Sequence, residues 1–104
     1  MPRLTAMGFA CIIHVNPVAD AGPILVAHRH EGDDLPTVLT YGHGDVIRAQ
    51  TDMWRDGLHP FKLVAEGDKL FGRGTADNKG QHHINFSALE AVLQTRGRLG
   101  FNCK

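Results

Sequence analysis

The stretch that decides the fold is Gly72-Arg73-Gly74-Thr75-Ala76-Asp77-Asn78-Lys79-Gly80, which leads straight into a helical pattern over residues 81–96. Within that pattern Ile84, Ala88, Ala91 and Val92 recur near helical spacing, and Phe86, Leu89 and Leu93 widen the apolar stripe. Gly97 is a natural stop. Just upstream, residues 61–65 and 69–71 flank Glu66-Gly67-Asp68, which reads as a three-residue hairpin loop containing glycine. Just downstream, Leu99, Phe101 and Cys103 alternate with Gly100 and Asn102 as a strand begins. A hairpin, a glycine-rich loop, a helix and a strand in that order predict an α/β protein with one well-marked crossover helix.

Working outward, residues 9–15 are rich in strand formers and follow Gly8, which ends a short helix over residues 4–7. Asn16-Pro17 and Asp20-Ala21-Gly22-Pro23 are turn signals. Ile24-Leu25-Val26-Ala27 is a continuous apolar run of strand length, and Thr37-Val38-Leu39-Thr40-Tyr41 is another of the kind buried on both faces. Residues 42–60 are polar and read as a long connection. The expected fold class is therefore α/β, with a mixed, mainly parallel sheet and one clear crossover helix. Such a sheet needs cover on both faces, and a single helix leaves apolar surface open.

Composition narrows the class. The 104 residues are 42% hydrophobic and 21% charged, a globular balance, and 11 basic residues cancel 11 acidic ones. That neutrality argues against a nucleic-acid binder. No apolar run reaches the length of a membrane span, and the N-terminus lacks the apolar core of a signal peptide. Cys11 and Cys103 form no CxxC pair and read as reduced thiols of a cytoplasmic protein. No internal repeat or linker marks a domain boundary.

Two constellations carry chemistry. Tyr41-Gly42-His43-Gly44-Asp45-Val46 follows a strand candidate at its C-terminal end, where open α/β sheets place their ligands. In extended chain positions 43 and 45 project to one side, so a carboxylate can hold one ring nitrogen of the histidine while the other is offered to a metal. A polar turn facing water fits the same residues. The loop at 72–80 is no phosphate cradle: Lys79 precedes glycine rather than Ser or Thr, and Asp77 stands where a dinucleotide loop needs glycine. A carboxylate at a helix N-terminus, favoured by the dipole, is one reading of Asp77, and a helix cap from Asp77 or Asn78 is the other.

Taken in series, Tyr41-Gly42-His43-Gly44-Asp45, then Trp54 and Pro60-Phe61, then the loop at 72–80 resemble the N-terminal part of the co-catalytic zinc peptidases and amidohydrolases. That family includes carnosinase-like dipeptidases, aminoacylase, acetylornithine deacetylase and succinyl-diaminopimelate desuccinylase. The resemblance covers residues 36–104, with Arg48 where relatives often carry proline. It implies that His43 binds one zinc ion, that Asp77 bridges two, and that Asp45 orients His43. It also implies a cis peptide between Asp77 and Asn78. Two zinc ions held close need a shared anion, and a hydroxide generated between them near neutral pH can attack an amide carbonyl.

The resemblance also implies residues that are missing. The family's catalytic base is the first of two adjacent glutamates shortly after the crossover helix, and the second is a zinc ligand. Glu66 and Glu90 are no substitutes, one in a hairpin turn and the other mid-helix. Residues 1–104 are thus expected to be an incomplete N-terminal part of the catalytic domain, without the dimerisation domain. The expected function is that of a fragment of a zinc-dependent hydrolase of dipeptides or N-acyl amino acids, inert by itself. The competing expectations are a non-catalytic, self-associating module that forms homo-oligomers through exposed apolar surface or a sheet edge, and a weak single-metal binder. No nucleic-acid or membrane partner is expected. Of the other candidates, His28, His30, His82 and His83 read as surface or packing residues, and Trp54 and Phe61 as apolar anchors of the loop. Arg73 pairs with a carboxylate near the site or serves the surface.

Overall fold

The computed structural model describes residues Met1–Lys104. The elements in chain order are α1 (Pro2–Ala6), β1 (Ala10–His14), β2 (Ile24–His28), β3 (Thr37–Val38), a single 3₁₀ turn (Thr51–Met53), β4 (Val64–Glu66), β5 (Lys69–Phe71), α2 (Lys79–Arg96) and β6 (Asn102–Cys103). They form two compact units: Met1–Tyr41 with Asn85–Lys104, and Gly42–Ile84.

In the first unit, Pro2 opens α1, where its missing N–H costs nothing. Gly8 closes the helix at φ +78°, a left-handed turn that glycine makes without a Cβ penalty. A side chain there would also overlap the Arg29 guanidinium, whose Nη1 donates to the Met7 carbonyl at 2.6 Å. β1 and β2 pair antiparallel, from Ala10 opposite His28 to His14 opposite Ile24. β3 and β6 pair parallel, Thr37 opposite Asn102 and Val38 opposite Cys103. Arg29 and Cys103 exchange two backbone hydrogen bonds of 2.9 Å, which join the end of β2 to β6. Parallel pairing is thus confined to β3 and β6, the two strands that a crossover through α2 requires. The remaining pairs are antiparallel because short loops connect them, so the mixed α/β architecture contains less parallel sheet than its apolar runs suggest.

The core is Leu4, Met7, Phe9, Leu99 and Cys103, with Phe86, Leu89, Val92 and Leu93 of α2 packed against it. Buried among these apolar groups, Asn102 satisfies its whole amide: Oδ1 accepts from Glu31 and Gly32 N–H, and Nδ2 donates to the Gly32 and Leu35 carbonyls. The Glu31 side chain, 7% exposed, accepts from Arg29 Nε at 2.8 Å, from Leu99 N–H at 2.8 Å and from Gly100 N–H at 2.7 Å. Burial pushes its carboxyl up, but the hydrogen bonds from Leu99, Gly100 and Arg29 outweigh it and hold the pKa at about 2, below the ordinary 4.5. Arg3 joins α1 to α2, donating to Ser87 Oγ at 3.0 Å and to Glu90 at 2.7 Å. Both cysteines are free thiols, and burial raises the pKa of Cys103.

Two expectations about burial are corrected. Ile24, Leu25, Val26 and Val38 are 41–47% exposed and Leu39 is 79% exposed, because no second layer of this chain covers those runs. On α2 the packed stripe is Phe86, Leu89, Val92 and Leu93, whereas Ile84, Ala88 and Ala91 face solvent. Gly97, at φ +71°, stops the helix with its N–H on the Leu93 carbonyl at 2.8 Å, the left-handed cap expected of it.

The second unit contains the β4–β5 hairpin. Glu66 pairs with Lys69, so its loop is two residues, Gly67-Asp68, rather than three. Gly67, at φ +59°, supplies the first position of a type II′ turn. Arg55 pairs with Glu66 and lies over the Phe71 ring. Trp54 is half-buried and anchors its loop as expected, whereas Phe61 is 67% exposed and does not. No helix of the chain is long and apolar enough to cross a membrane.

Candidate metal centre

The second unit holds all three predicted site residues. Residues 41–50 form no helix or strand, so His43 and Asp45 are placed by contacts rather than by a ladder. Val46 supplies one: a Cβ on Gly74, which sits at φ +86°, would fall 2.9 Å from Val46 Cγ1, so the missing side chain lets the two segments meet. The carbonyl of Gly74 then accepts from Lys79 and Gly80 N–H, the first amides of α2, at 3.1 and 3.3 Å. That contact settles the helix-cap alternative. The cap is the main chain of Gly74, the Asn78 side chain bonds Gln81, and the Asp77 carboxylate is turned toward His43. The peptide bond between Asp77 and Asn78 is cis, as the family resemblance implies.

The His43 ring is oriented from one side. Its Nδ1 lies 3.1 Å from the Asp45 main-chain oxygen and 3.2 Å from the Asp45 carboxylate. A carbonyl oxygen only accepts, so Nδ1 is the nitrogen that carries a hydrogen, and in the neutral ring Nε2 is the one offered to a metal. Nε2 faces Asp77 Oδ1 at 3.4 Å. A proton on Nε2 makes this contact an ion pair, and a metal ion in its place would be shared by the same two atoms. The spacing suits a tetrahedral metal ion: with Zn–N and Zn–O bonds of about 2.1 Å, two ligand atoms lie about 3.4 Å apart. A donor set of one imidazole, once neutral, and one carboxylate is chemically right for zinc. These residues line a cleft of about 230 Å³ with Val46, Arg73 and Gly74.

The centre is open and partial. The His43 side chain is 33% exposed and that of Asp77 is 76% exposed. No group of three or more His, Cys, Asp or Glu side chains gathers to hold a metal. None of the three glutamates stands at the cleft: Glu31 binds Arg29, Glu66 binds Arg55 and Glu90 binds Arg3. A larger cleft of about 390 Å³ near Met7, Arg29, Glu90 and Leu93 has its charged groups already paired with one another's neighbours in the same unit.

Some residues at the centre escaped the sequence reading. Arg73 pairs with no carboxylate; its Nη2 donates to the Ala49 carbonyl at 3.1 Å and its guanidinium stacks on Trp54. The only signal for this was the shared appearance of Trp54 and Arg73 in the motif series. Away from the centre, in the first unit, His30 Nε2 lies 3.1 Å from Asp33, a carboxylate companion that the pattern had not shown.

Residues 39–103 match Peptidase family M20/M25/M40. Over 96 residues the chain is 31% identical to a cysteinylglycine-S-conjugate dipeptidase of Corynebacterium striatum, a match covering 91% of the chain and 20% of that protein. Over 60 residues it is 47% identical to the beta-Ala-His dipeptidase of Mus musculus, covering 56% of the chain and 12% of that protein. Its fold superimposes on the crystal structure of human carnosine dipeptidase 1 with a TM-score of 0.82 at 28% identity, covering 98% of the chain and 23% of the other. The chain therefore spans about a fifth of the length of such relatives. The matched residues run through both motifs and the fold agrees over nearly the whole chain, so the chain belongs to Peptidase family M20/M25/M40.

Proposed function

We propose that the chain carries part of the zinc centre of a hydrolase that cleaves amide bonds in dipeptides or N-acyl amino acids. The observation that supports it best is the opposed pair His43 Nε2 and Asp77 Oδ1 at 3.4 Å, with the other face of the imidazole occupied by Asp45. His43 offers one nitrogen, Asp77 offers two oxygens and is the residue suited to bridge two ions, and Asp45 holds the His43 tautomer. Bound zinc would supply a water of lowered pKa and polarise the substrate carbonyl. No glutamate of the chain faces the centre, so the 104-residue chain lacks a general base of its own and is inert toward these substrates. The reduced thiols accord with a cytoplasmic protein.

Calorimetric titration with zinc chloride tests the reading. The parent chain should bind zinc, His43→Ala and Asp77→Ala should each abolish the heat, and no dipeptide or N-acetyl amino acid should be hydrolysed. Equal binding by the parent and His43→Ala would refute the assignment.

A second reading, self-association into a homo-oligomer, is favoured by the apolar surface of β1 and β2, where Ile12, Ile13, Ile24, Leu25 and Val26 are 43–58% exposed. A monomer mass by light scattering at high concentration would exclude it.

A further inference from the structure

We propose that Arg73 is the positioning residue of the metal-donor pair. It ties the segment that follows His43 and Asp45 to the loop that carries Asp77, and so sets the separation of the two donors. The inference rests on the zinc-site reading above.

The need for such a tie follows from local structure. His43 and Asp45 lie in a stretch with no helix or strand, and Asp77 lies in a loop of turns, so no hydrogen-bond ladder fixes one against the other. Val46 against Gly74 is an apolar contact and sets a closest approach, but not a direction. Arg73 supplies direction. Its main-chain N–H donates to the Pro60 carbonyl at 2.7 Å, and Pro60 is fully buried, which roots the loop in the second unit. Its side chain then reaches back along the other segment. Nη2 donates to the Ala49 carbonyl at 3.1 Å and meets Gln50 Oε1 at 3.4 Å.

The guanidinium carbon lies 5.4 Å from the centroid of the Trp54 ring, and the Trp54 indole N–H donates to that same Ala49 carbonyl at 3.1 Å. One carbonyl thus receives two donors, and the cation sits over the ring face within cation–π range. Nε is buried with no hydrogen-bond partner, so the side chain is held by its stacking and by its terminal nitrogen. Arg73 lies four residues from Asp77 and donates to Ala49, four residues from Asp45, so this one side chain links the two segments that carry the donors. A lysine has the charge but not the plane that stacks and forks.

The test uses the 104-residue chain and its sole tryptophan, Trp54. Arg73→Met keeps the apolar stem over the ring and removes the donor, so it preserves packing where alanine would leave a hole. In the parent, nuclear Overhauser contacts should join the His43 ring to the Gly74–Asp77 loop without metal, and zinc chloride should shift the Trp54 emission. In Arg73→Met those contacts should weaken or vanish, and zinc affinity should fall by about tenfold, the usual cost of losing a group that orients a ligand. Arg73→Lys should restore part of both. Far-ultraviolet circular dichroism of each variant confirms that it is folded at the temperature used.

If Arg73→Met is folded and retains the parent's contacts, the inference is overturned whether or not zinc binds. Unchanged zinc affinity in Arg73→Met overturns it as well. A parent that binds no zinc refutes the zinc-site reading, and the metal-free contacts still decide the role of Arg73.

Discussion

The two units are built on different physics. Buried apolar side chains mark the first: Leu4, Met7, Phe9, Leu99 and Cys103, closed around one satisfied amide, Asn102. In the second, only Pro60 and Gly74 are buried, and the chain is shaped by glycines, main-chain carbonyls and one stacked arginine. A core tolerates changes that preserve volume. A loop set by close backbone approach tolerates no added atom. The unit that carries the proposed metal donors is therefore the one with the least burial, and the Asp77 carboxylate is exposed to solvent. Open, weakly buried segments are where binding sites usually lie, because function there needs access and adjustment.

The sharpest way to break the comparison is to remove the charge that organises the first unit. Glu31 is held at a pKa of about 2 against an ordinary 4.5, so it favours the folded state by roughly 3 kcal/mol at neutral pH. Because the folded value is depressed, the contribution is complete above about pH 4.5 and is lost as pH falls toward 2. Glu31→Gln should lower the unfolding free energy by about that amount at pH 7. The gap between variant and parent should close as pH approaches 2. Urea unfolding at a series of pH values measures both. Hydrogen exchange at Leu99 and Gly100, whose amides bind Glu31, should speed up in the variant while amides at 42–84 keep their rates. A pH-independent gap would show that the carboxylate is not what holds this unit.

A smaller effect is expected in the second unit. Gly80 is the second residue of α2, and in an ordinary helix alanine there would add about 1 kcal/mol of stability. Here a Cβ would overlap the Thr75 carbonyl oxygen, which is backbone and cannot swing aside. Gly80→Ala should therefore destabilise by about 1–3 kcal/mol, the usual cost of overpacking. Zinc affinity should fall with it, because Thr75 lies two residues from Asp77. Thermal unfolding together with zinc calorimetry reads both effects. A rise in melting temperature with undiminished zinc binding would mean that the loop is not packed on the helix start as described.

The contrast between units also explains what could be read from sequence. Strands β1 and β2, helix α2 and the hairpin all follow from local pattern, since strand formers, helical spacing and turn glycines act within a few residues. The grouping of His43, Asp45 and Asp77 was legible for a different reason: the motif series resembles a known family, and the structure brings the three residues within contact although 34 positions separate the first from the last. Burial was not legible. The run Ile24-Leu25-Val26-Ala27 is as apolar as an interior strand, yet whether a second layer covers it depends on residues elsewhere. Glu31 was missed because two of its three partners, the Leu99 and Gly100 amides, come from distant chain and nothing in Glu31-Gly32-Asp33-Asp34 marks a buried acid. The role of Arg73 was missed for a similar reason: its partner is a carbonyl, which every residue has.

The smallest expected effect tests the face of α2. Helical spacing groups Ile84 with Ala88, Ala91 and Val92 in a stripe widened by Phe86, Leu89 and Leu93, while the core is met by Phe86, Leu89, Val92 and Leu93 alone. Ile84 is 68% exposed, so Ile84→Lys should change the unfolding free energy by no more than about 0.5 kcal/mol at low protein concentration, as surface substitutions do. Equilibrium unfolding at two concentrations gives the measurement its force. If the substitution is neutral in both, solvent covers that face and α2 is packed on one side only. If the cost rises to about 2 kcal/mol or more and grows with concentration, a second copy buries Ile84, because only an intermolecular contact makes stability depend on concentration. The whole of the expected stripe would then be buried, Phe86, Leu89, Val92 and Leu93 within the chain and Ile84 between chains.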